Sequence, residues 1–168
     1  MLDRFGTNPT QLIGLLSFAA ATIACLIAAW QSDLRDAPTW KLLALINCLF
    51  LIEILSGFRH RIHDLVDAFM EANGWYTQRR GVQEFIDISL ATIALIFMAF
   101  FLFRRHAAGR GARAAASITV GLLAVFAVEM VSLHAVDAVF YQPIGPVLLI
   151  GWLWAIGAAG ICLAATLR

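Results

Sequence analysis

The residues best suited to chemistry are two histidine–carboxylate pairs, His60 with Asp64 and His134 with Asp137. Spaced four and three residues apart, each pair can meet within one turn of a helix. Neutral imidazole with carboxylate is a donor set that zinc, iron and manganese accept. Helical bundles assemble metal centres by presenting such groups from facing helices. His63, Asp67, Asp87 and Glu129 are further donors in the same regions. The ExxH spacing of a di-iron carboxylate bundle is absent from both, so the expectation is a transition-metal site of unspecified nuclearity. Such a site could support redox or hydrolytic chemistry on a lipid-phase or periplasmic substrate. Glu53 and Glu129 stand inside apolar runs, where an ionised carboxylate needs a partner, a proton or a cavity. They are therefore also candidates for relaying protons.

Other readings use the same residues. His60 and His134 could hold a haem b through two axial imidazoles, with Arg59, Arg61, Arg79 and Arg80 near the propionates. Asp64 and Asp137 beside both ligands fit poorly with the apolar walls that haem prefers, so a non-haem metal ranks first. A third reading is an accessory or scaffold subunit of a larger membrane complex, without chemistry of its own. Asp64, Asp67 and Glu71 then become the solvated face of an interfacial helix. Arg79 and Arg80 follow two interfacial aromatics, Trp75 and Tyr76, and could bind a lipid phosphate or another anion.

The elements that must position these residues follow from composition. Of 168 residues, 61% are hydrophobic and 14% charged, against about 25% charged in ordinary soluble domains. Mean hydropathy is +0.83. Lipid is the solvent that suits such a chain, and about 20 apolar residues cross its core. Five runs reach that length: 11–31, 42–58 (from a helix beginning near Trp40), 85–103, 114–141 and 147–167. Residues 1–168 are expected to form a single transmembrane domain, an all-α polytopic bundle of about five helices. The sharpest break is Gln142-Pro143-Ile144-Gly145-Pro146, which separates the last two spans. The second helix is expected to extend beyond the membrane, with Glu53, Gly57, His60, Asp64, Asp67 and Glu71 on one face. Phe58, Ile62, Leu65 and Phe69 form the opposite stripe.

Alternating direction brings the ends of the second and fourth spans and the start of the third to one side, gathering the ionisable residues there. Two stripes of small residues, Ser17-Ala21-Cys25-Ala29 and Gly151-Ala155-Ala159, are expected to pack helices closely. On the fourth span, His134, Asp137 and Tyr141 would share a face, with Glu129 turned about 100° away.

Loop charge orients the chain. Arg35, Lys41, Arg104, Arg105, Arg110, Arg113 and Arg168 fall on one side; Arg4, Arg59, Arg61, Arg79 and Arg80 fall on the other. The first set contains the run from Arg104 to Arg113 with no acid in it, which places that side in the cytoplasm. The expected location is a bacterial inner membrane, N-terminus outside and C-terminus cytoplasmic, with the histidine–carboxylate end external. The N-terminal segment lacks a basic leader and a cleavage site, so the first span is expected to be retained. A net charge of +1 gives no footprint for nucleic acid; the expected partners are membrane lipids and other membrane-protein subunits. Cys25, Cys48 and Cys162 lie far apart in apolar runs and form no CxxC pair. No nucleophile elbow, P-loop, dinucleotide fingerprint or HExxH helix is present.

Overall fold

The computed structural model describes residues 8–57, 109–131 and 138–167, together with 68, 71, 72, 89 and 92. It is an all-α bundle of membrane-spanning type. The described helices are α1 (Pro9–Gln31), α2 (Ala37–Ser56), α3 (Arg110–Val131) and α4 (Leu149–Thr166). All four are long and apolar enough to cross a bilayer.

Local chemistry sets their ends. Asn8 caps α1 by accepting the Thr10 N–H at 3.0 Å, and Pro9 opens the first turn, where a missing N–H costs nothing. Pro38 does the same near the start of α2. At the other end of α2, Gly57 adopts a left-handed conformation (φ 57°) and its N–H closes on the Glu53 carbonyl at 2.8 Å. The chain therefore turns at Gly57. A face running in register from Glu53 through Gly57 to His60 would need an uninterrupted helix there, and that register is corrected. Residues 68, 71 and 72 are helical again.

Between α3 and α4, the expected proline–glycine break is a small antiparallel pair, β1 (Pro143–Ile144) and β2 (Val147–Leu148), turning at Gly145 (φ 67°). The Leu149 N–H returns to the Gln142 carbonyl at 2.9 Å, which joins the hairpin to α4.

α1 packs along both α2 and α4, and α4 along α3; α2 meets α3 over a shorter stretch. Directions follow from three cross-links. The Asp36 carboxylate before α2 accepts the Gly109 N–H before α3, at 3.0 and 3.2 Å. α2 and α3 thus start at one end and run parallel. At the opposite end, the Thr10 hydroxyl accepts the Leu148 N–H at 2.9 Å, and Gln11 Nε2 donates to the Ile54 carbonyl at 3.1 Å. Gly57 and Gly109 consequently lie at opposite ends of the bundle; of the span expected over 85–103, which falls between them in sequence, Ser89 and Thr92 are helical and the other residues lie outside the described residues.

One stripe of small residues needs correction. Ala21, Cys25 and Ala29 are buried on α1 as expected. On α4 the buried face is Gly151, Trp154, Ala158 and Ile161, while Ala155 is half-buried and Ala159 exposed. The contact face of α4 is set by the large Trp154 and Ile161 together with Gly151 and Ala158, which follow one another at three- and four-residue steps.

Candidate functional site

Each described helix contributes one aromatic ring to a common layer. Phe50 of α2 and Phe126 of α3 stack at 4.4 Å with planes 5° apart, and Phe126 stacks on Trp154 of α4 at 5.7 Å. Phe18 of α1 leans against all three, its centroid 5.1 to 6.3 Å from theirs. Phe18 is fully enclosed and Trp154 only 3% exposed.

This layer is the floor of a polar end. Glu53 lies three residues beyond Phe50, and Glu129 three beyond Phe126. Because α2 and α3 are parallel, both carboxylates sit about 4.5 Å, nearly one turn, past the same ring pair. Both Glu53 carboxyl oxygens and Glu129 Oε2 are shielded from solvent. Glu129 as a whole is 6% exposed. Tyr141 Oη donates to Glu129 Oε1 at 3.1 Å. Gln11 and Thr10 join the same end through their links to α2 and β2.

The tyrosine contact revises the fourth span. On one straight helix, residues 129 and 141 would stand about 18 Å apart, beyond the reach of both side chains together. The expected helix over 114–141 is therefore not one straight helix: α3 and residues 138–140 are helical, and 132–137 between them lie outside the described residues. Glu129, expected to face away from Tyr141, is its hydrogen-bond acceptor instead.

The remaining predicted site residues, His60, His63, Asp64, Asp67, Asp87, His134 and Asp137, lie outside the described residues, as do Arg79 and Arg80. Among the described residues, no group of three or more histidine, cysteine or acidic side chains is placed to hold a metal. Glu53 and Glu129 bring two carboxyl groups to one level, and a complete donor set would draw on residues beyond these.

Four buried polar residues escaped the sequence reading, Thr10, Thr39, Asn47 and Thr119, of which two lie mid-helix. Asn47 on α2 and Thr119 on α3 are 0% and 1% exposed. Asn47 Nδ2 donates to the Leu43 carbonyl at 2.8 Å, while Asn47 Oδ1 and Thr119 Oγ1 find no hydrogen-bond partner among the described residues. The signal for Asn47 was present: it is the one amide inside the apolar run 42–58.

Comparison with protein-family models, curated proteins and solved structures finds no match to this chain.

Proposed function

We propose that this integral membrane protein binds a transition metal ion at the end of the bundle where α2 and α3 terminate. Glu129 and Glu53 supply carboxylates at the floor of the site. His60, Asp64, His134 and Asp137, which follow these two acids in the sequence, supply the remaining donors. The observation that carries the reading is the placement of both carboxylates one turn beyond the stacked Phe50–Phe126 pair. Two carboxyl groups shielded from water at one depth offer oxygen donors of the kind that first-row divalent metals accept. The Tyr141 hydroxyl orients Glu129, the kind of outer contact that fixes a ligating carboxylate. Zinc, iron and manganese all suit carboxylate and imidazole donors. In this reading the site faces the periplasm of a bacterial inner membrane, with the N-terminus outside.

Metal analysis of detergent-purified protein tests this, comparing wild type with Glu129→Gln and with a His60→Ala, His134→Ala double variant. Stoichiometric metal that is lost from the double variant and reduced in Glu129→Gln supports the site. Wild-type protein without metal, purified with a stable partner subunit, returns the accessory-subunit reading. A Soret band assigns a bis-histidine haem instead.

A further inference from the structure

We propose that the opposite end of the bundle is a docking surface for anionic phospholipid headgroups, built around the Asp36–Gly109 bond. Every lysine and arginine among the described residues sits there: Arg35, Lys41, Arg110 and Arg113. All four are exposed, and none makes an ion pair among the described residues. Two of them flank the Asp36–Gly109 bond directly, since Arg35 precedes Asp36 and Arg110 follows Gly109. Arg113 shares a helix face with Arg110, three residues on.

The only described acids at this end are Asp33 and Asp36, and the Asp36 carboxylate is already occupied by the Gly109 N–H through both oxygens. α2 and α3 begin here while α1 and α4 end here, so the helix dipoles largely offset one another and the four cationic side chains set the charge of this surface. Trp30 and Leu34 are 91% and 96% exposed beside it. An indole and an aliphatic side chain at a basic helix end match the boundary between headgroups and acyl chains. The described acids Glu53 and Glu129 occupy the far end, with no described cation near them. Charge complementarity therefore selects a net-anionic phospholipid over a zwitterionic one, whose phosphate is neutralised within its own headgroup. This surface stands apart from the metal site and does not depend on it.

Full-length protein in zwitterionic detergent is mixed with equal amounts of phosphatidylglycerol and phosphatidylcholine, and the retained lipids are counted by native mass spectrometry. Wild type retains phosphatidylglycerol in preference. Arg110→Gln with Arg113→Gln lowers that preference by about fivefold for each arginine removed. Arg110→Lys with Arg113→Lys keeps most of it, because the surface reads charge. Equal retention of both lipids by wild type overturns the proposal, as does a lysine variant that loses as much as the glutamine variant. So does a preference lost in Arg79→Gln with Arg80→Gln but kept in the Arg110, Arg113 variant. Displacement of bound lipid by inorganic phosphate at equal concentration overturns it too, since a free anion would then satisfy the surface.

Discussion

Tyr141 reaches back across twelve residues of sequence to donate a hydrogen bond to Glu129 at 3.1 Å, at the buried end of α3. A buried side-chain hydrogen bond of this kind contributes about 0.5–3 kcal/mol. Tyr141→Phe should therefore lower unfolding stability by about that amount while leaving the ring in place. In a Glu129→Ala background the same change should cost little. A double-mutant cycle, read by thermal unfolding in detergent, measures the coupling. Additive effects would mean that the two side chains do not act together.

The ring layer makes a second prediction. Phe126 stacks on both Phe50 and Trp154 and touches Phe18, so its removal opens a hole bounded by all four described helices. Phe126→Ala should cost about 3–5 kcal/mol, and Phe126→Leu clearly less, because the residual cavity is smaller. Because Glu129 stands one turn away, Phe126→Ala should also lower metal content if the proposed site is present. Metal content and unfolding can be measured on the same preparation.

The span boundaries were legible because lipid imposes a simple test, a long run without charge. α1 begins and ends within two residues of the expected limits, and α4 likewise. The polar end was legible for the same reason, since Glu53 and Glu129 interrupt apolar runs. Their common end was legible too, because alternating direction makes the second and fourth spans parallel. The Tyr141–Glu129 contact was not, since the run 114–141 reads as one helix on which those residues stand too far apart to meet. Gly57 shows the local limit. A glycine within a periodic pattern reads equally well as a helical position or as a left-handed cap, and here its conformation ends α2. The Gly151-Ala155-Ala159 stripe misled because it was chosen for small size, whereas the buried face of α4 also carries the large Trp154 and Ile161.

Glycines on the packing faces separate close approach from open space. A methyl group added at Gly157 would meet Leu122 Cδ2 at 2.6 Å, and one at Gly14 would meet Ile54 and Trp154 at 2.8 Å. At Gly121, on the exposed side of α3, nothing lies within 4 Å. Gly14→Ala should destabilise by about 1–3 kcal/mol through overpacking against the indole. Gly121→Ala should be neutral or stabilise by up to about 1 kcal/mol, from helix propensity alone. Gly157→Ala should be milder than Gly14→Ala, because the flexible end of Leu122 can move aside. Unfolding midpoints of the three variants should follow that order.

The Asp36–Gly109 bond ties the starts of α2 and α3 and can be broken from either side. A methyl group at residue 109 would fall 2.5 Å from Asp36 Oδ2, so Gly109→Ala pushes the carboxylate away from the N–H it accepts. Asp36→Ala removes the acceptor outright. Capping contacts of this kind contribute about 0.5–2 kcal/mol, and each substitution should lower stability within that range. Asp36→Asn keeps an oxygen acceptor and should lie between Asp36→Ala and wild type. If the bond accounts for both effects, the double variant Asp36→Ala, Gly109→Ala should be no less stable than the worse single variant. Summed losses in thermal unfolding would show that Gly109 is needed for a different reason, such as its own backbone entry into α3.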